Sequence, residues 1–109
     1  MAEVLKVLAQ SAPSATTLTD AYTVPGATSA TVSSIMVCNR SASEATFRVS
    51  VAVAGAADGP GQYVVYDLPI AGTDVFAATV GLTLGAADVV RVWASSGDLS
   101  FSLFGVEVT

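Results

Sequence analysis

From Phe47 to Val53 the chain alternates, with apolar Phe47, Val49, Val51 and Val53 separated by Arg48, Ser50 and Ala52. A period of two sends one set of side chains into a core and the other toward solvent or a partner, so this stretch predicts a half-buried β-strand. Leu99, Phe101 and Leu103 alternate with Ser100 and Ser102 in the same way. Phe104, Val106 and Val108 then continue on the opposite parity. A shift of one residue swaps the faces of a strand, so a bulge or kink is expected near Leu103 to Gly105, where the glycine suits it.

Further strands are predicted over Val4–Leu8, Leu18–Val24, the β-branched run Thr31–Cys38, Gln62–Leu68, Val75–Leu84 and Asp88–Ala94. The run of Tyr63, Val64, Val65 and Tyr66 reads as a strand buried on both faces or lying at an interface. In Val75–Leu84 the residues Phe76, Val80, Leu82 and Leu84 share one parity. In Asp88–Ala94, Val90 and Val92 oppose Val89, Arg91 and Trp93, which directs Trp93 away from the main core.

Turn signals separate these runs. Pro25-Gly26 suits a type II turn, with proline presetting φ and glycine supplying φ > 0. Asn39–Glu44, Asp58–Gly61, Ala71–Asp74, Gly85–Asp88 and Ser95–Asp98 are polar or glycine-bearing breaks. Their spacing, mostly about 8–15 residues, is the rhythm of a sandwich or barrel. Val4–Gln10 could begin a helix, but Pro13 and the Ser/Thr run after it would end one. The expected fold is therefore all-β, an antiparallel β-sandwich of jelly-roll or immunoglobulin-like topology. The sandwich spans 18–109, and the extended N-terminal segment 1–17 serves as an arm or an edge strand.

Composition favours a component of an assembly over the alternative, a soluble monomer coated in small polar residues. The chain has 109 residues, enough for one domain that folds without staples. Hydrophobic residues make up 52% of it and charged residues only 12%, against about 25% charged in an average protein. A surface of Ala, Ser, Thr and Gly suits burial against neighbours. The formal net charge is −5, and Lys6, Arg40, Arg48 and Arg91 are scattered. Nucleic acid and anionic membranes require clustered basic residues, so neither is an expected partner. The first ten residues lack a basic start and a long apolar core, so no signal peptide is expected. No apolar run approaches the ~18 residues of a membrane-spanning helix. Asn39-Arg40-Ser41 matches the glycosylation sequon and is taken as chance.

Chemistry is scarce. The chain has no histidine, which removes the commonest general base and transition-metal ligand. Cys38 is the single cysteine, so it forms no intrachain disulfide, and it is expected to be a buried structural thiol. The carboxylates that could in principle pair for glycoside hydrolysis are Asp20, Glu44, Asp58, Asp67, Asp74, Asp88, Asp98 and Glu107. Most sit in or beside turns, where aspartate serves local hydrogen bonding, and Asp67 and Glu107 fall well inside apparent strands. Calcium would be the best metal for such ligands, but no Asp-rich spacing supports a site. Gly55, Gly59 and Gly61 precede no helix and make no phosphate cradle. No catalytic residue, cofactor or metal ligand is expected.

The aromatic residues divide. Phe47, Phe76, Phe101 and Phe104 fit a core, whereas Tyr63, Tyr66 and Trp93 could form a sugar platform or an interface anchor, with core packing the equal alternative for each. With Val4, Leu5, Val7 and Leu8 of the first strand, they are the candidate interface residues.

Several segments together carry a family likeness: Leu18-Thr19-Asp20-Ala21-Tyr22-Thr23-Val24-Pro25-Gly26, Val32-Ser33-Ser34-Ile35-Met36-Val37-Cys38-Asn39-Arg40-Ser41, Phe47-Arg48-Val49, Leu82-Thr83-Leu84 with Asp88-Val89-Val90-Arg91-Val92, and Phe104-Gly105-Val106-Glu107. From Leu18 onward the chain resembles small virion structural proteins of tailed bacteriophages and prophages. The resemblance implies a minor component of the particle, assembled in the bacterial host cytoplasm and partnered by the major capsid protein or other virion proteins. It brings no catalytic residues. From Leu82 to Phe104 the chain is also similar to the late strands of trimeric jelly-roll domains, with Ala87-Asp88 where those have Gly-Asp.

The leading expectation is a capsid decoration or cement protein that works as a homo-oligomer, a trimer, through distributed burial. Val4–Leu8 could reach a neighbour by strand addition. The alternative is a receptor- or carbohydrate-binding module of a tail or fibre, presenting a Tyr/Trp cluster beside loop acids. A neck or tail connector is the third reading.

Overall fold

The computed structural model describes residues 2–109. Eight strands follow in order: β1 (Glu3–Ser11), β2 (Thr19–Thr23), β3 (Ser29–Asn39), β4 (Ala45–Ala52), β5 (Tyr63–Ile70), β6 (Val75–Leu84), β7 (Val89–Ala94) and β8 (Leu99–Val108). Single turns of 3₁₀ helix cover Val53–Gly55 and Pro60–Gln62. The strands form two four-stranded sheets, ordered β1-β8-β3-β6 and β2-β7-β4-β5, in which all pairs are antiparallel. The pairs β1·β8, β2·β7, β3·β6 and β4·β5 nest inside one another. That nesting is the strand order of a jelly roll, and an immunoglobulin-like order lacks it.

The core is the alternation made physical. Phe47, Val49, Ile35, Val37, Val90, Val92, Leu99, Phe101 and Leu103 are all almost fully buried between the sheets. Phe47 packs its ring 5.2 Å from Phe76 and 5.9 Å from Phe101, in tilted and edge-on arrangements. Each such side chain contributes about 1.5–3 kcal/mol on leaving water, which explains why these positions govern the fold.

The N-terminal strand lies in its own sheet. β1 pairs along its length with β8, and Ala2 and Thr109 exchange backbone hydrogen bonds of 3.0 and 2.9 Å. Residues 12–18 run back along the body, with Pro13 buried and the Thr16 amide donating to the Ala94 carbonyl at 2.7 Å.

Several sequence expectations are corrected. β8 carries no bulge, and its partners are irregular instead, at Ser33 of β3 and Leu8 of β1. Gly105 therefore stays on the inward parity, where a Cβ would collide with the Thr31 carbonyl and the Leu8 side chain fills the space beside it. Phe104, Val106 and Val108 consequently face outward, and Phe104 is not core. Cys38 is exposed, because its neighbours Val37 and Asn39 take the inward positions of β3. The strand at Tyr63–Ile70 is buried on neither face throughout, since it forms a sheet edge and leaves Val64 and Tyr66 exposed. Val80 leaves the parity of Phe76 and Leu82 because an irregularity at Val80 and Gly81, with Gly81 at φ +68°, turns it outward. Val53 begins a 3₁₀ turn and is exposed rather than extending the β4 face. In the Pro25-Gly26 turn the positive φ falls on Ala27, at 53°.

All four edge strands are interrupted. Register shifts mark β1 at Leu8, β2 at Ala21, β6 at Val80–Gly81 and β5 beside Asp67, whose φ is 51°. Such bulges twist an edge away from regular pairing with another chain.

Candidate functional site

The outer face of the β2-β7-β4-β5 sheet carries the aromatic candidates. In register, Arg48 of β4 lies opposite Trp93 of β7, and Ser50 lies opposite Arg91. The Arg48 guanidinium sits 3.9 Å from the centre of the Trp93 ring and 4.3 Å from that of Tyr66. It is thus held between two aromatic rings, each presenting its negative face to the cation. Its Nε donates to Asp67 Oδ1 at 2.6 Å and its second amine to Asp67 Oδ2 at 3.3 Å. The Asp67 carboxylate raises the Arg48 pKa above its ordinary value.

Tyr63 meets Tyr66 edge-on at 5.0 Å and donates its hydroxyl to Asp58 Oδ2 at 3.1 Å. Burial, followed by that hydrogen bond, raises the Tyr63 pKa. Arg48, Asp58, Gly59, Pro60, Tyr63 and Tyr66 line an open groove of about 650 Å³. Tyr63, Tyr66 and Trp93 therefore converge as candidates, although Arg48 covers one face of Trp93. In the sequence Arg48 is a scattered basic residue and the polar partner in an alternating strand, with no sign of a site. Its signal was the cross-strand register with Trp93, which sequence does not supply.

The other end of this face is closed. Arg91 donates to the carbonyls of Ala56 and Gly55 at 2.8 and 3.2 Å, and pairs with Asp20 at 2.9 Å. This holds the 53–55 turn over Ala52 and Val89, which are buried despite their outward parity.

The β1-β8-β3-β6 sheet presents a different outer surface. Its rows run across all four strands: Leu5, Val106, Thr31 and Thr83; then Val7, Phe104, Ser34 and Thr79; then Gln10, Ser102, Met36 and Ala77. A fourth row holds Ser100, Cys38 and Val75. No Asp, Glu, Lys or Arg occurs in these rows, and among the described residues the only charged one on the outward parity of these strands is Glu3 at the margin. Leu5 is 84% exposed, and Val7, Met36 and Val75 are about half exposed. Val4 and Lys6 lie on the opposite parity, and Leu8 turns into the core. The four β1 candidates thus do not act as one patch.

The acids are bound locally. Glu107 accepts from the Tyr22 hydroxyl and from Lys6, and both bonds lower its pKa. Asp88 accepts the backbone amides of Ala54 and Gly85, which lower its pKa in turn. Among the described residues no three acidic or thiol side chains converge as a metal-binding group. Asn39, which opens the polar break at Asn39–Glu44 and the sequon, is 1% exposed. It donates to the carbonyls of Ser43, Ile70 and Ala71, and accepts from the Ser41 amide and hydroxyl. It organises the β3–β4 loop and is inaccessible to a modifying enzyme.

Fold and surfaces together define an eight-stranded jelly-roll module with one uncharged sheet face and one aromatic groove. No protein-family model matches the chain, and no curated protein matches it.

Proposed function

We propose that the chain is a non-enzymatic structural component of a tailed-phage virion, a capsid decoration or cement protein. The observation that carries this reading is the uncharged outer face of the β1-β8-β3-β6 sheet, in a molecule whose formal net charge is −5. Burying such a face against another protein surface desolvates no charge, which suits a chain that works inside an assembly. The phage setting rests on the sequence resemblance from Leu18 onward. The partners are the major capsid or other virion proteins, and the chain acts as a homo-oligomer. Electron microscopy of whole particles tests the reading. Density for this chain in hundreds of copies over the shell supports it. A dozen copies or fewer at the neck or tail would replace it with the connector reading, and absence from the particle would end it.

The groove at Tyr63 and Tyr66 favours a second reading, a receptor- or carbohydrate-binding module of a tail or fibre. Tyr66 is 58% exposed and stands beside Asp58, an aromatic and an acid at one opening. A glycan array at high protein concentration tests it, with Tyr66→Ala and Trp93→Ala as controls. Absence of binding, or binding indifferent to both substitutions, removes this reading.

A further inference from the structure

We infer that the uncharged face of the β1-β8-β3-β6 sheet is covered by a second copy of this chain, packed face to face about a two-fold axis. The inference rests on the reading of the chain as an assembly component and names the first partner in that assembly.

Charge narrows the choice of occupant to an uncharged surface, and the same face of a second copy is one. Nine carboxylates against four basic residues make the molecule acidic, and two copies repel wherever their acids meet. The rows from Leu5 to Val75 contain none of those acids, and Glu3 stands at the margin beside Val108, so two copies can approach over these rows without like-charge contact. The opposite sheet presents Arg48, Arg91, Asp20 and Asp67 on its outer side. A charged partner surface laid on the uncharged rows would lose its hydration with no counter-charge in return. The same face on a second copy carries no such cost.

Area and geometry agree. Four strands of about nine residues make a face roughly 20 Å by 30 Å, or about 600 Å² of flat area. That is of the same order as the ~800 Å² per partner of a standard stable interface. The two obvious alternatives are less suited. Edge-to-edge pairing meets an irregularity on each of β1, β2, β5 and β6. A trimer ring needs two different complementary patches on each copy, whereas a two-fold pair uses one patch twice, and only one sheet face is uncharged. The oligomer inferred from this face is therefore a dimer rather than the expected trimer.

Sedimentation equilibrium of the full chain over a wide concentration range, with thermal unfolding alongside, tests the pairing. The expected result is twice the chain mass. Leu5→Glu and Met36→Glu, both at exposed outward positions, should shift it to a single chain mass with unfolding still cooperative. Tyr66→Glu on the opposite sheet should leave the double mass. If Met36→Glu fails to fold, Leu5→Glu decides, because Leu5 makes little contact with the body. A wild-type chain that stays monomeric at every concentration overturns the inference, as does a trimer or a dimer that survives both substitutions. A monomer in solution that still decorates particles would overturn the pairing and leave the virion reading standing.

Discussion

The Tyr22 hydroxyl donates to Glu107 Oε2 at 2.6 Å and so joins β2 of one sheet to β8 of the other. Lys6 Nζ reaches the second oxygen of the same carboxylate at 2.9 Å, which adds the edge strand β1 to the junction. One ionised carboxylate thus fastens three strands at one end of the sandwich. The two hydroxyl and ammonium donors favour its charged form, while burial and the adjacent carboxylate raise the pKa of Tyr22.

This junction makes stability depend on pH at both ends. The Glu107 pKa is depressed in the folded chain, so its contribution is complete above the unfolded value of about 4.3 and is lost as pH falls through the folded value. Tyr22 has a raised pKa, so the folded chain holds its proton and loses stability as pH rises above about 10. Denaturant unfolding across pH should show both limbs. Glu107→Gln should flatten the acid limb, and Tyr22→Phe the alkaline one, the latter at a cost of about 1 kcal/mol at neutral pH. Unchanged limbs in both variants would refute the assignment.

Gly105→Ala tests the close approach between β8 and β3. The added methyl meets the Thr31 carbonyl and the Leu8 side chain, so one strand must shift. A loss of about 3 kcal/mol is expected in equilibrium unfolding. A loss below 1 kcal/mol would show that the irregularities at Ser33 and Leu8 absorb the methyl.

Ala27 and Ala87 hold φ values of 53° and 69°, a region where a β-carbon is crowded by its own backbone. Both are exposed. Ala27→Gly and Ala87→Gly should each stabilise the chain by about 0.5–1 kcal/mol, reversing the usual penalty for glycine. A lower melting temperature in both would contradict the turn geometry.

Trp93 is the only tryptophan, so its emission reports directly on the Arg48 stack. Arg48→Ala should move that emission to longer wavelength, because water replaces the guanidinium over the ring. Arg48→Lys should give a smaller shift, since a compact ammonium covers less of the ring. Identical spectra in all three chains would mean that the stack does not persist in solution.

Period-two alternation over 47–51 and 99–103 predicted strands correctly, because a residue's parity within a regular strand is a local property. The same logic failed at Phe104. Its orientation depended on which strand absorbed the irregularity, and the collision of a Gly105 side chain with Thr31 is a contact between strands. Cys38 failed similarly, since its side is set by register with Val75 and Ser100.

The sequence by itself determined the strands, most of the turns, the absence of histidine and the scarcity of charge, all of which follow from composition and local geometry. Only the tertiary structure decided that the strands nest as a jelly roll, because pairing joins residues far apart in the chain. The tertiary structure also gathered Arg48, Trp93, Tyr63 and Tyr66 into one cluster and collected the uncharged positions of four strands onto one face. Those surfaces depend on register, and register is settled by side chains packing across the sheets.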